Sequence, residues 1–180
     1  ATEQFAKCLG KASPPVQTLL LSALAVRRDA APRGAVEAAA SSEDRAVRLA
    51  ALNALGTCGD ETTAKTLVDR TMAGAAAAEG EAARNSLVRL RGKSVDEVLT
   101  GMLSQRDARA KAELIRILAA RNAVGAIPDL KKAAEDPDGT VRKESWKALG
   151  ALARGPDVAS LVDLLVRARE DERDDAEKAV

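Results

Sequence analysis

Two ten-residue segments decide the fold: VRLAALNALG at residues 47–56 and VRKESWKALG at residues 141–150. Both begin with Val-Arg and end with Ala-Leu-Gly, and their apolar residues recur at spacings of three and four. That periodicity is typical of an amphipathic α-helix. The two segments therefore predict equivalent helices in a repeating architecture.

Weaker copies of the same pattern lie along the chain, separated from one another and from the two clear copies by steps of 31, 35, 28, 31 and 31 residues. The long step coincides with residues 73–80, which are nearly all Ala and Gly. A period near 31 residues accommodates one helical hairpin. We therefore predict an all-α fold, a right-handed α-α superhelix (α-solenoid) of about six helix pairs. The weaker copies begin at Val16, Ala82, Ala110 and Glu172.

Alignment of the copies gives columns, and residues in one column should face the same way in every repeat. Two columns three positions apart are apolar throughout, so they predict the core face of these helices. The column just before the first of them carries mostly smaller residues, which would let neighbouring helices approach. The two core columns are Leu21, Leu52, Leu87, Ile115, Trp146 and Leu24, Leu55, Leu90, Leu118, Leu149; the preceding column is Ala51, Ser86, Leu114, Ser145.

The other helix of each pair is expected in the intervals between these segments. Asp44, Asp107 and Asp138 stand where second helices should begin, as N-cap residues do. We interpret Gly56 and Gly150 as the ends of second helices, where glycine is common. The first helices are predicted at residues 1–11, 33–41, 61–73, 95–105, 123–135 and 157–170.

Composition narrows the possible functions. The 180 residues include 28 basic and 27 acidic side chains, so a net charge of +1 gives no overall attraction to nucleic acid or anionic membrane. No apolar run approaches the roughly 20 residues that span a bilayer, and we predict no membrane insertion in this segment. Cys8 and Cys58 are far apart in a chain without histidine, which excludes the usual zinc and redox motifs.

The segment from Ala123 to Leu152 resembles the HEAT-like repeat family, including the bilin-lyase-type variety common in bacteria. Pro128, Asp136 and Arg142 match that family's first-helix proline, turn aspartate and second-helix arginine. The resemblance covers nearly the whole chain and implies a ladder in which the aspartate and the arginine link successive repeats.

The full set of three residues occurs only in this repeat. The other turns pair Ser42 with Arg48 and Gln105 with Lys111. We therefore do not extend the ladder to the other repeats.

Catalysis is disfavoured, and we predict that the chain is not an enzyme. Without His or Tyr, acid–base chemistry would fall to carboxylates or lysines, and these have exposed-helix or capping explanations. The run from Asp136 to Gly139 begins like a calcium loop but lacks its later ligands, so we interpret it as a turn and helix cap. No catalytic, cofactor or metal residue is predicted.

The candidate binding surface is the face of the second helices opposite the core, which lines the concave surface in such solenoids. Residues 91–154 hold 13 basic against 9 acidic side chains, so the C-terminal repeats contribute a basic stripe to it. Glu113 and Glu144 lie three residues before Arg116 and Lys147 and should pair with them. A solvated face of ion pairs is the alternative to a functional stripe. The face comprises Thr18, Ser22, Leu49, Asn53, Arg84, Val88, Ala112, Arg116, Lys143 and Lys147.

The leading hypothesis is a non-catalytic scaffold that binds another protein through this concave face, with Asn53, Arg84, Arg116, Lys143 and Lys147 as partner-binding candidates. The alternative is a HEAT-like nucleic-acid-binding module that uses the basic stripe. Nucleic acid is the less favoured partner, because aromatic clamps and net positive charge are lacking. An accessory to a bilin or other chromophore lyase is implied by the family resemblance alone.

We expect residues 1–180 to form a single HEAT-like repeat domain cut from a longer solenoid. Terminal repeats of such stacks need polar outer faces, and neither end provides a clear one. In the last copy, the two core columns would fall at Glu177 and Val180.

Overall fold

The computed structural model describes residues 2–27, 32–72, 77–92 and 94–180, and within them the chain forms twelve α-helices, four short 3-10 turns and no β-strand. This content confirms the predicted all-α class. The chain divides into two compact units, Ala1–Val95 and Asp96–Val180. The single repeat domain and its right-handed course stay predictions.

Within the first unit, the second helix of each pair packs on the first, and the second helices stack on one another in chain order. Of the Ala- and Gly-rich residues 73–80, the last four begin a helix and 73–76 lie outside the described residues. The six helices are α1 (Thr2–Leu9), α2 (Pro14–Arg27), α3 (Arg33–Ala39), α4 (Arg45–Cys58), α5 (Glu61–Met72) and α6 (Ala77–Arg89).

The second unit repeats the plan: α8 packs on α10 and α10 on α12. Pro128 lies in the first turn of its helix, where proline's missing N–H costs no hydrogen bond. The even-numbered helices of both units are the predicted second helices. The six helices are α7 (Val95–Met102), α8 (Ala108–Ala120), α9 (Ile127–Ala133), α10 (Gly139–Leu152), α11 (Val158–Val166) and α12 (Arg173–Ala179).

Aspartate caps begin three of the second helices, as predicted. Asp44 and Asp138 each accept hydrogen bonds from two backbone N–H groups of the first turn, at 2.8 and 3.1 Å. Asp107 accepts one, from Ala110 N at 2.8 Å. These bonds satisfy N–H groups that have no partner inside the helix, and each stabilises its helix by about 1 kcal/mol.

The predicted role of the two glycines is wrong. Gly56 and Gly150 lie inside α4 and α10 rather than at their ends. A Cβ atom at Gly56 would lie 2.8 Å from the Cα of Ser86 on α6, and one at Gly150 would lie 3.1 Å from the Cα of Ala179 on α12. Glycine is needed at position 56 because α6 approaches too closely for a side chain, and at position 150 it gives α12 room to approach.

The predicted core columns are buried in every repeat from the first to the fifth. The smaller residues beside them are buried too, and Ser86 Oγ donates a hydrogen bond of 2.7 Å to Leu52 O on the adjacent helix. Trp146 is the largest fully buried side chain, with 1% of its surface exposed. Both core columns and the burial of Trp146 are therefore confirmed.

The last helix departs from the predicted register by one residue. Ala176 and Ala179 are buried, whereas Glu177 and Val180 are exposed. The one-residue shift keeps the carboxylate of Glu177 in solvent, because burying an unpaired charge is costly. It also brings a small side chain against Gly150, where the helices are closest.

Truncation of the buried tryptophan tests the core assignment. Trp146→Ala should lower the free energy of unfolding by about 3–5 kcal/mol, because it leaves a cavity in a packed interior. Lys147→Ala, at the exposed neighbouring position, is the matched control and should cost less than about 1 kcal/mol. Urea denaturation measures both, and equal effects would contradict the assignment.

Alanine substitution at two glycines separates close packing from helix propensity. Gly101 lies in α7 with open space around the position of its Cβ, so Gly101→Ala should stabilise the protein by about 0.5–1 kcal/mol. Gly56→Ala should instead lower the melting temperature, because its methyl group would overlap the backbone of Ser86. Stabilisation by both substitutions would rule out the close approach of α4 and α6.

Candidate interaction surface

The predicted face of the second helices is largely exposed. Of the five partner-binding candidates, Asn53, Arg116, Lys143 and Lys147 are exposed and Arg84 is half-buried. Three of them, Arg116, Lys143 and Lys147, lie on the adjacent helices α8 and α10 of the second unit. The other two belong to the first unit. On the rest of the predicted face, Ser22 is exposed and Thr18, Leu49 and Val88 are half-buried.

One residue of the predicted face is misplaced. Ala112 is buried, with only 2% of its surface exposed. The assignment of Ala112 to the exposed face is therefore wrong, whereas that of Arg116, one turn later, holds.

A chain of ion pairs runs across α8 and α10. Arg116 Nη1 lies 3.4 Å from Glu113 Oε2, and Arg116 Nε donates to Glu144 Oε2 at 3.0 Å. Glu144 Oε1 in turn accepts from Lys147 Nζ at 3.1 Å. The two pairs within single helices confirm the predicted three-residue pairing. The link between helices was not predicted, because sequence spacing carries no information about which repeats lie side by side.

These contacts hold the charges of the network in place. Partial burial by itself would raise the pKa of the Glu144 carboxyl, but hydrogen bonds from Arg116 and Lys147 outweigh it and lower that pKa. The hydrogen bond to Glu144 raises the pKa of the Arg116 guanidinium. Both groups are therefore charged across the physiological pH range.

Lys143, the other candidate cation of the second unit, also lies near a carboxylate. Lys143 Nζ is 3.9 Å from Asp175 Oδ2 on α12, and its side chain stays more than half exposed. Arg116, Lys143 and Lys147 thus each have an acidic neighbour while about half of each side chain stays exposed to solvent. In the first unit, Asn53 Nδ2 donates to Leu49 O at 3.0 Å, within its own helix.

In the repeat that carries the full set of residues, Arg142 forms a ladder contact through the backbone carbonyl of Asp136 and through Glu172, not through the carboxylate of Asp136. Arg142 is buried, donates from Nη1 to the carbonyls of Asp136 at 2.9 Å and Pro137 at 2.8 Å, and forms an ion pair with the buried Glu172. Its guanidinium therefore ties the turn of its own repeat to the turn that precedes α12.

The same arrangement occurs in the first unit, where we did not expect it. Arg48 Nη1 donates to the carbonyls of Ser42 and Glu43, both at 2.8 Å. Its Nε and Nη2 donate to Glu79 Oε1 at 3.0 and 2.8 Å, and this lowers the pKa of the Glu79 carboxyl. The turn contributes backbone carbonyls rather than side chains, so the restriction to one repeat was wrong.

On α8, Lys111 occupies the position that Arg48 and Arg142 have in their repeats, and it contacts the turn of the next repeat. Lys111 Nζ donates to Asp136 Oδ2 at 2.7 Å, while Asp136 Oδ1 accepts from Asp138 N at 3.0 Å. Burial alone would raise the pKa of Asp136, but these hydrogen bonds lower it. Asp136 and Asp138 thus serve the turn and the helix cap, as predicted.

The two cysteines differ in their exposure to solvent. Burial raises the pKa of the Cys58 thiol to about 11, which keeps it protonated, and Cys8 is exposed. Among the described residues, no group of three or more Cys, Asp or Glu side chains could hold a metal ion. None of the helices in those residues is long and apolar enough to cross a bilayer.

Comparison with known families and structures agrees with the geometry. The family model for HEAT repeats matches residues 2–89 and 95–180. A chain of the complex of CpcE and CpcF of phycocyanin lyase from Nostoc is similar, with a TM-score of 0.54, 22% identity and coverage of 98% of this chain and 74% of that chain. The family match and this likeness confirm the α-solenoid class.

Two further structures are similar at lower scores. Human deoxyhypusine hydroxylase gives a TM-score of 0.49 at 18% identity, covering 99% of this chain and 82% of that chain. A designed armadillo repeat protein in complex with a (KR)4 peptide gives 0.49 at 14% identity, covering 98% and 96%. The comparison with curated proteins gives no match.

Adjacent cations on α10 should differ sharply in their contribution to stability. Arg142→Ala removes a buried guanidinium and leaves Glu172 buried without its partner, which typically costs about 3–5 kcal/mol. Lys143→Ala removes an exposed cation and should cost less than about 1 kcal/mol. Thermal melts of both variants check this, and equal tolerance would contradict the ladder.

Proposed function

We propose that this chain, which belongs to the HEAT repeat family, is a non-catalytic scaffold. It binds another protein through the exposed face of its second helices. The candidate side chains on that face are Asn53 and Arg84 in the first unit and Arg116, Lys143 and Lys147 in the second. In a solenoid of such repeats this face lines the concave side.

The observation that carries the proposal is the ion-pair network on α8 and α10. Arg116 and Lys147 are about half exposed while they contact Glu144, so their positions are fixed and their outer surfaces remain accessible. A fixed pattern of alternating charge selects a partner of complementary pattern, because mismatched like charges weaken a complex. A protein partner can present carboxylates opposite the cations of this network and cations opposite its carboxylates.

The network also weighs against the alternative partner, nucleic acid. A phosphate backbone presents negative charge only, so it would have to compete with Glu144 and Asp175 for the same cations. Binding led by phosphate contacts also requires several cations that can neutralise phosphates and so release the counterions of the nucleic acid. The basic stripe therefore favours a protein partner over a nucleic acid.

The proposal of a non-catalytic role rests on the residue types available. The sequence has no histidine or tyrosine, and the pKa of Cys58 is too high for a nucleophile at neutral pH. The likeness to the CpcE and CpcF chains is one of fold at 22% identity. A role as an accessory to a lyase is compatible with this likeness, and it would be one form of the proposed scaffold function.

Site-directed photo-crosslinking in the cells that produce the protein tests the proposed surface. A photoreactive residue at Asn53 or Lys147 should yield a protein adduct, because both positions are exposed on the second-helix face. Lys65 on α5 and Asp163 on α11 are matched exposed positions on first helices and should yield little. Charge reversal with Arg116→Glu should abolish the adduct at Lys147.

Two results would contradict the proposal. Equal adducts at all four positions would place the partner elsewhere or show random contact. Binding of a random DNA duplex at low salt, lost steeply as salt rises and weakened by Arg116→Glu, would favour the nucleic-acid alternative.

A further inference from the structure

A small cavity lies beside Trp146 in the second unit, next to the ladder pair of Arg142 and Glu172. Its volume is about 200 Å³. Trp146, Arg142 and Glu172 are buried and form its inner wall, whereas Arg167 and Arg169 are exposed at its rim. A cavity of roughly 150 Å³ holds a molecule the size of benzene, so a small organic ligand would fit here.

The indole N–H of Trp146 is a buried donor that lacks an acceptor. Trp146 is 1% exposed, and its Nε1 atom donates to no atom of the described residues. An indole N–H is a donor only, so a neighbouring donor cannot satisfy it. Buried polar groups in folded proteins nearly always have a hydrogen-bond partner. A ligand atom that accepts this hydrogen bond would therefore complete the interior at Trp146.

Packing of the core does not require this donor. The other four members of the same column are buried and aliphatic, so they fill it without a polar atom. Trp146 is the one member of the column that brings a hydrogen-bond donor to the core. The four aliphatic members are Leu21, Leu52, Leu87 and Ile115.

The charges around the cavity favour an anion. Its described lining includes three arginines and two glutamates, and both glutamates have partners. Glu172 forms an ion pair with the buried Arg142. Glu135 lies 3.5 Å from Arg167 Nη1, between side chains that are more than half exposed. Arg169 adds a third cation at the exposed rim.

We propose that the cavity binds a small carboxylic acid in its ionised form. One carboxylate oxygen accepts from Trp146 Nε1, and the other faces the guanidinium of Arg169 at the rim. A carboxylate only accepts hydrogen bonds, so it complements the indole and guanidinium groups of the lining, which are donors only. The remaining described lining residues are apolar and suit a short carbon chain: Ala134, Leu164 and Ala168.

A trapped water molecule is the competing occupant, because water can also accept from the indole N–H. Water carries no charge, so a titration with an anion separates the two. The acid site is also independent of the proposed protein-binding face, because Arg116, Lys143 and Lys147 do not line the cavity. Failure of one proposal would leave the other unaffected.

The indole N–H itself can report binding, because Trp146 is the only tryptophan in the chain. Its side-chain cross-peak in a ¹H–¹⁵N spectrum should move downfield as sodium acetate replaces sodium chloride at constant ionic strength. We expect saturation with a dissociation constant on the order of 1–10 mM, as suits so small a ligand. Acetamide has the same shape without the charge and should bind about tenfold more weakly.

Two substitutions test the assigned groups. Trp146→Phe keeps an aromatic ring and removes the N–H. Acetate at about 200 mM should therefore raise the melting temperature of the parent chain by about 3–6 °C more than that of this variant. Arg169→Gln should weaken acetate binding about five- to tenfold. Arg173→Gln is the matched control and should bind like the parent, because Arg173 is exposed nearby and does not line the cavity. Far-UV spectra verify that each variant is folded.

Three results would overturn the proposal. An indole cross-peak that stays in place up to about 200 mM acetate would show that no carboxylate reaches Nε1. Equal shifts with acetate and acetamide would exclude a site that selects an anion. Equal stabilisation of the parent chain and of Trp146→Phe would place the bound acetate elsewhere on the chain.

Discussion

The contact on which the structure depends is the close approach of successive second helices. Gly56 approaches Ser86 so closely that no Cβ atom fits between them, and Gly150 leaves little space for one against Ala179. The helices can come so close only because the residues between them are small. Within each unit, this approach packs the leucine columns of neighbouring repeats together and determines which charged side chains become neighbours.

The arginine ladder follows from the same stacking. Arg48 and Arg142 sit at the same position in their repeats, and each binds two backbone carbonyls of its own turn and a glutamate at or just before the start of the next second helix. Glu79 and Glu172 are both buried, so their charges are tolerable only beside a guanidinium. The ladder therefore fixes the spacing between turns, while the apolar columns supply most of the stabilisation.

The two sides of a second helix have separate roles. One side holds the ion-paired, solvent-exposed groups of the proposed protein-binding face, and the sides toward the neighbouring helices are apolar or small. Where a neighbour is present, as on α4 and α10, the small residues are buried.

The sequence by itself determined the helices, their caps and the core columns, because helical periodicity and capping depend on residues close together in the chain. The 31-residue period identified Leu52, Leu55, Trp146 and Leu149 as core positions without knowledge of their neighbours. Only the tertiary structure decided why Gly56 and Gly150 are glycines, where the last helix lies in register and which cations share Glu144. Those outcomes depend on distances between helices that lie about one repeat apart, and such distances leave no local signal in the sequence.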